Sequence, residues 1–324
     1  MQPYDNILPI VLIFLGAVFV SVALWWLSRR CRFRFPKTIH VPARCTLDHE
    51  GIDSLVKTLR AIRRRKRATL VDFTGVSGIS YEAFMVFLAQ AEKVHGRVLF
   101  NFGTPAQRSS SVSYIVRKIY GPGISSDTIH PGAIDITDHA AERYKRSMKV
   151  NPDYITSALE PHMKRTGMPD YYDFNTLVTE MVANAIEHGI INRQINWWMY
   201  IKPREDMQQV RVVILDMGIG IVRSYRRAGL PRAYRHLSDS GIVTNALLGN
   251  LGSSTGEEGR GRGLPQIHHM LNKNWISSLV IITNTVTLRF NNGEYRPDVP
   301  HKNFSGTYYE FTVTQNNYNT WKES

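Results

Sequence analysis

The sequence predicts an α/β protein in three parts: a transmembrane helix within residues 1–30, a small α/β domain over 31–135, and a larger α/β sandwich over 136–324. Three observations predict this. An uncharged run near the N-terminus is followed by a dense basic stretch. Strand-like and helix-like patterns then alternate through residue 102. Farther on, a helix with one polar face precedes a strand ending in Asp-x-Gly and a glycine-rich stretch.

A chain of 324 residues has room for about two domains plus accessories. Its composition is that of a globular protein, not a disordered one. The only cysteines, Cys31 and Cys45, lie 14 positions apart and outside any CxxC or Cys/His cluster. That excludes a zinc-finger pattern and a disulfide framework.

Residues 8–27 contain no charged side chain. Twenty helical residues span about 30 Å, the thickness of a bilayer's hydrocarbon core. Trp25 and Trp26 fall at an interfacial position, and S-R-R-C-R-F-R-F-P-K follows. A signal peptide carries its positive charge in front rather than behind. The expectation is a single-pass membrane protein, anchored in a lipid bilayer, with residues 28 onward cytoplasmic. The net charge is +13, and residues 28–67 hold thirteen Lys or Arg against three acids. The first basic cluster fits attraction to anionic lipid. The run Arg63-Arg64-Arg65-Lys66-Arg67 is read as a solvated helix end or further lipid contact, in preference to a nucleic-acid contact.

Within 31–135, Thr38–Val41 reads as a strand, and Ile52, Leu55, Leu59 and Ile62 recur at helical spacing. Ala68–Phe73 is a buried-strand run, Tyr81–Val94 a helix and Arg97–Phe102 another strand. Strand–helix alternation of this kind implies parallel pairing. The stretch L-V-D-F-T-G-V-S-G-I-S-Y-E-A-F, residues 70–84, resembles the STAS domain of anti-sigma-factor antagonists. That family opens the helix after this turn with a phosphorylatable serine. Here the aligned position falls at Tyr81 or Glu82, and the Ser-Ser-Gly of the family is absent.

Residues 103–137 are rich in Gly, Pro and Ser, which predicts a loop, a short helix over 112–119 and a linker. Helices are expected over 138–148 and 152–164. His139 and His162 are read as surface-helix histidines.

The stretch T-E-M-V-A-N-A-I-E-H-G, residues 179–189, repeats Glu180, Asn184 and Glu187/His188 along one helix face. Next comes V-R-V-V-I-L-D-M-G-I-G-I, residues 210–221, where a strand ends in Asp216 and leads to Gly218 and Gly220. T-G-E-E-G-R-G-R-G-L, residues 255–264, follows, and Gly306-Thr307 opens a last strand. In this order the four elements resemble the N box, the two glycine boxes and the terminal Gly-Thr of the GHKL ATPases. That superfamily includes gyrase-type topoisomerases, mismatch-repair ATPases, sensor histidine kinases and anti-sigma-factor serine kinases. The resemblance covers roughly residues 170–315, about half the chain.

The resemblance implies a sandwich of mixed sheet and helices that binds ATP and Mg²⁺. Asn184 offers an amide oxygen to magnesium, a hard cation that takes few protein ligands. Glu180, one turn earlier, orients or deprotonates a water aimed at the γ-phosphate. Asp216 accepts a hydrogen bond from the adenine amino group, and Gly218 and Gly220 let backbone approach the base. Gly259, Gly261 and Gly263 offer N–H groups to phosphate ahead of a helix over 264–272, which starts at Leu264. Arg260 and Arg262 add charge-assisted contacts. Ser254 and Thr255 reach phosphate from a lid over 221–258, and Thr307 supports adenine through water. Three functions follow as expectations. One is an ATPase whose lid closure switches contacts with a protein partner. The second is a serine- or histidine-kinase-like phosphotransferase. The third is a non-catalytic nucleotide-dependent scaffold, which the presence of Glu180 argues against. Members of the superfamily often form homodimers, which leaves a homodimer open here.

Overall fold

The computed structural model describes residues 37–65, 68–94, 98–120, 128–129, 151–189, 197–252, 263–291 and 293–324. The chain is a mixed α/β protein. Among the described residues no helix is long and apolar enough to cross a membrane. This corrects the transmembrane part of the predicted fold and the single-pass membrane localisation. The longest helix, over Tyr172–Gly189, has 18 residues. It carries Asp173 and Glu180, and its apolar side is spent on protein core rather than lipid. The run 8–27 that suggested an anchor lies outside the described residues, as does the helix expected over 138–148.

The smaller sheet has the order β1-β3-β5-β6, with β1 (Lys37–His40), β3 (Thr69–Asp72) and β5 (Val98–Asn101) parallel. Its edge strand β6 (Thr128–Ile129) runs antiparallel to β5, and a separate short pair joins β2 (Arg44–Cys45) to β4 (Gly78–Ile79). Helix α1 (Ile52–Arg64) buries Ile52, Leu55, Val56, Leu59 and Ile62, the stripe its periodicity predicts. Asp53 in its first turn and Arg63 and Arg64 in its last complement the helix dipole. Helix α2 (Tyr81–Lys93) is buried along most of its length. Helix α3 (Ser110–Tyr120) adds Val112, Ile115 and Val116 to the same core. The centre of this unit is aromatic: Phe73 lies 5.1–5.5 Å from the rings of Phe84, Phe87, Phe100 and Phe102.

The larger sheet has the order β11-β10-β9-β12-β8-β7, and every pairing in it is antiparallel. Its strands are β7 (Trp197–Arg204), β8 (Gln209–Asp216), β9 (Ser278–Asn284), β10 (Val286–Asn291), β11 (Glu294–Pro297) and β12 (Phe304–Thr314). The run 279–290 is a hairpin of two strands. Asn284 adopts a positive φ of 52°, and Val286 pairs back onto Thr283. Asn tolerates this left-handed conformation better than most residues, which permits the tight reversal.

Both faces of this sheet are covered. On one face lie α4 (Pro152–Arg165), α5 (Tyr172–Gly189), α6 (Ile221–Ala228), α7 (Asp239–Leu247) and α8 (Gly263–Asn272). They pack on Trp197, Met199, Val212, Ile214, Ile281 and Phe311. The segment expected as a lid therefore contributes core as far as Leu251: Ile242, Val243 and Leu247 are fully buried. His162, expected on a helix surface, is 4% exposed. The C-terminal helix α9 (Gln315–Lys322) is tied to the start of α5 by Trp321 Nε1, which donates to Asp173 at 2.7 Å. The opposite face carries Trp198, Tyr200, Val213, Leu215, Ile282 and Tyr308, and these share one continuous core with the smaller unit.

Candidate nucleotide site

Asp216 is the last residue of β8, 2% exposed, and flanked in register by Trp197 on β7 and Thr307 on β12. A continuous apolar strand thus delivers a carboxylate to the end of an inner strand. Its Oδ1 accepts the Gly218 N–H at 2.7 Å, which tightens the turn into the first glycine pair. Burial, and next the charge of Asp216, push the Tyr309 hydroxyl well above its ordinary range. Tyr309 is therefore a neutral neighbour of this carboxylate.

Gly306 explains the Gly-Thr pair physically. It has φ 95°, and a Cβ there would sit 1.9 Å from the Asp216 carbonyl oxygen. Only glycine permits β12 to pass this closely, which sets Thr307 opposite Asp216. Gly220 is constrained in the same way: φ is 84° and a Cβ would meet the Asn284 Oδ1 at 2.6 Å and the Thr283 Oγ1 at 2.8 Å. Thr283 and Asn284 were not singled out from the sequence. Thr283 Oγ1 accepts the Ile221 N–H at 2.9 Å and donates to the Gly306 carbonyl at 3.2 Å. Asn284 accepts the Arg223 N–H and donates to the Ile219 carbonyl. These two residues clamp the first glycine turn to the Gly-Thr strand. Their sequence signal is the polar T-N-T interruption between two apolar runs.

The N-box helix α5 meets the second glycine stretch at Gly263. A Cβ on Gly263 would lie 2.4 Å from the Asn184 Nδ2 and 2.5 Å from the Met181 Cε. Asn184, half-buried, therefore abuts the start of α8, and Leu264 packs partly buried against the adjoining core. Glu180, also half-buried, lines with Thr179, Thr176 and Asn175 a cleft of about 460 Å³ between α4 and α5. Ser254, Thr255, Gly259, Arg260, Gly261 and Arg262 lie outside the described residues, as do the side chains of Glu187 and His188. Among the described residues no group of three or more His, Cys, Asp or Glu could hold a metal ion.

The position aligned with the STAS phosphoserine faces away from solvent. Tyr81 is 8% exposed, with its ring 5.2 Å from that of Tyr200. The Glu82 carboxylate accepts the Tyr200 hydroxyl at 3.3 Å and lies 3.5 Å from Arg211 and 3.9 Å from Lys202. Arg211 also pairs with Glu310 at 3.4 Å. This is a polar seam between the two units.

No protein-family model matches the chain, and no curated protein matches it.

Proposed function

We propose that the chain binds ATP with Mg²⁺, hydrolyses it, and uses the bound state as a switch on a protein partner. The observation that carries this reading is the fit of Gly263 against Asn184, with no room for a Cβ between them. It brings the N-box helix against the second glycine stretch, two segments nearly 80 positions apart in sequence. The matching approach of Gly306 to Asp216 supports the adenine end.

Bound ATP·Mg²⁺ supplies the labile γ-phosphoryl bond and the charge that polarises it. Asp216 orients the base by accepting from its amino group, held in place by the Gly218 N–H. Gly306 lets β12 pass against the Asp216 carbonyl, and Gly220 lets the first glycine turn pass against Thr283 and Asn284. Asn184 ligates without adding negative charge near the phosphates. Glu180, in the α4–α5 cleft, positions a water and takes its proton. Phosphotransfer to the smaller unit is the weaker reading, because Tyr81 and Glu82 are packed against the larger sheet.

Binding of ATP and ADP to two variants, with and without Mg²⁺, tests the assignment. Asp216→Asn should weaken ATP and ADP alike, with or without Mg²⁺. Asn184→Ala should matter chiefly with Mg²⁺ present. Equal, Mg²⁺-independent losses in both would contradict the roles. Incubation with γ-labelled ATP separates the chemistries: free phosphate supports hydrolysis, and labelled protein would replace it with phosphotransfer.

A further inference from the structure

The last turn of α1 carries more positive charge than its own helix accounts for. Arg63 and Arg64 are exposed and Arg60 is half-buried on the same side. The fold adds Arg223, from the first turn of α6 in the other unit. Hydrogen bonds tie the side chains of Arg60 and Arg63, and the backbone of Arg223, to Asn303, Ser305 and Asn284. Arg60 Nη2 donates to the Asn303 carbonyl at 3.2 Å, and Arg63 Nη1 donates to the Ser305 Oγ at 2.8 Å. The Asn303 side chain meets the Asn284 Nδ2 at 3.4 Å, and the Asn284 Oδ1 accepts the Arg223 N–H at 3.3 Å. Arg63 is held below the ordinary guanidinium range, first by partial burial and then by the like charges of Arg60, Arg223 and Arg64. Among the described residues none of the four has a carboxylate within 4.0 Å. The nearby Asp53 is engaged by Lys302, and Asp239 by Arg226.

The four guanidinium groups repel one another, and among the described residues no carboxylate offsets them within 4.0 Å, so the arrangement favours a bound anion. Two donate to neutral oxygens only, which leaves most of their donors open. A carboxylate-bearing protein and a phosphate-bearing partner could each supply the anion, and the surface discriminates between these two. A protein interface is anchored by exposed aromatic or aliphatic side chains. The exposed large hydrophobics among the described residues are Tyr114, Tyr172, Met207, Leu248 and Val299, and none belongs to this cluster. Phosphate contact needs only charge and planar donor forks. Among the described residues no exposed aromatic ring adjoins the cluster to stack on unpaired bases.

We infer that Arg60, Arg63, Arg64 and Arg223 form a composite site, across the seam between the two units, for the phosphodiester backbone of a nucleic-acid duplex, bound without regard to sequence. Arg63 and Arg64, part of a run read from sequence alone as a solvated helix end or further lipid contact, gain this role beside Arg60 of the same helix and Arg223 from the other unit.

The test is fluorescence anisotropy of the full chain with a labelled 20-base-pair duplex of arbitrary sequence, over a salt series. Arg63→Ala/Arg64→Ala/Arg223→Ala should weaken binding at least tenfold and flatten the log Kd–log salt slope by about 2 to 3, near 0.9 per lost phosphate contact. Lysine at the same three positions should restore most of the slope. Arg296→Ala/Lys273→Ala/Lys322→Ala removes equal charge elsewhere and should change it little. Should the alanine variant not fold, mass-spectrometric mapping of phenylglyoxal modification on the wild type replaces it, with the duplex expected to shield Arg63, Arg64 and Arg223. The proposal is overturned by absence of duplex binding at low salt, by equal losses in the control variant, or by unshielded arginines. Tighter binding of a single strand, or equal competition by polyglutamate of matched charge, overturns it as well.

Discussion

The two faces of the six-stranded sheet are both buried, yet they are built from different chemistry. The helix-covered face presents Trp197, Met199, Ile201, Val212, Ile214, Ile281 and Phe311, an apolar surface. The opposite face presents Trp198, Tyr200, Val213, Leu215 and Tyr308, and beside them stand Lys202 and Arg211, which meet Glu82 of α2, and Glu310, which pairs with Arg211. An apolar face is held by area and shape, and tolerates small adjustments in how its cover sits. A face with a charged network specifies one orientation, because a displaced partner leaves desolvated charges unmatched. The sheet therefore has one side that supports the candidate site and another that fixes the smaller unit in a single pose.

The largest effect expected on this contrast belongs to the first side. Glu180→Ala should leave ATP affinity nearly unchanged while slowing phosphate release by about 10²–10⁴, the common cost of removing a general base. It should also leave the second face untouched. Unchanged phosphate release would remove Glu180 from the mechanism, and a collapse of binding would make it a structural residue.

Next in size is Gly263→Ala. The new methyl would sit 2.4 Å from the Asn184 Nδ2, so α8 or the amide must shift. Overpacking of this kind costs about 1–3 kcal/mol. The expected result is roughly tenfold weaker binding of ATP with Mg²⁺ and a much smaller change without it. Equal losses in both conditions would detach Gly263 from the magnesium end of the site.

The regular elements were legible where apolar periodicity is local. Ile52, Leu55, Leu59 and Ile62 gave α1, and the run ending in Asp216 gave β8, whose V-V-I-L lacks the alternation of a half-exposed strand and so reads as covered on both sides. What covers the second side was not legible. Glu82 finds Arg211 and Lys202 about 120 positions away, and no local pattern encodes such a pairing. The hairpin at Asn284 was marked only by the polar T-N-T at 283–285 between two apolar runs, and its reversal rests on one left-handed residue that no periodicity encodes. In the candidate site, residue types were readable, but the reasons for Gly306 and Gly263 are close approaches of distant backbone and side chains. The anchor read from residues 8–27 came from an uncharged 20-residue run with interfacial tryptophans and a basic flank, and no helix among the described residues is long and apolar enough to cross a membrane.

The polar seam is tested by Glu82→Ala. Its carboxylate side chain is 14% exposed, and its loss leaves Arg211, Lys202 and the Tyr200 hydroxyl without their shared acceptor. The expected cost is about 1–3 kcal/mol, from the unsatisfied donors left behind. Cys45 reports on it. The residue is fully buried in the core shared by the second face and the smaller unit, and burial pushes its thiol up to about 12. At pH 8 the folded thiol is almost wholly protonated and shielded, so it reacts slowly. Faster labelling of the Cys45 peptide in Glu82→Ala, with unchanged nucleotide affinity, would mark the seam as the weaker side. Between pH 9 and 12 the unfolded thiol loses a proton that the folded one keeps, so this burial contributes less stability as pH rises. Labelling no faster than wild type would mean that the apolar contacts alone hold the units together.

The smallest effect should come from Ser305→Ala, where the two sides of the sheet meet. Ser305 Oγ accepts from Arg63 at 2.8 Å and donates to the Gly218 carbonyl at 3.3 Å, so it joins α1 to the turn after Asp216. The first of these bonds is exposed and the second is long, and each is therefore worth less than about 1 kcal/mol. Gly218 belongs to the proposed adenine end, because its N–H holds the Asp216 carboxylate. Loss of the hydroxyl should thus loosen that turn and weaken ATP and ADP equally, by about two- to fivefold, whether or not Mg²⁺ is present. Arg63→Ala should produce a change of similar size, and the double variant little more than either single one, because both act through the same hydroxyl. Additive losses would mean that Arg63 and Ser305 act independently. A loss confined to ATP with Mg²⁺ would place the effect at the phosphates, against the path through Gly218. No loss in either single variant would show that the smaller unit fixes the sheet's outer face without influence on the nucleotide side.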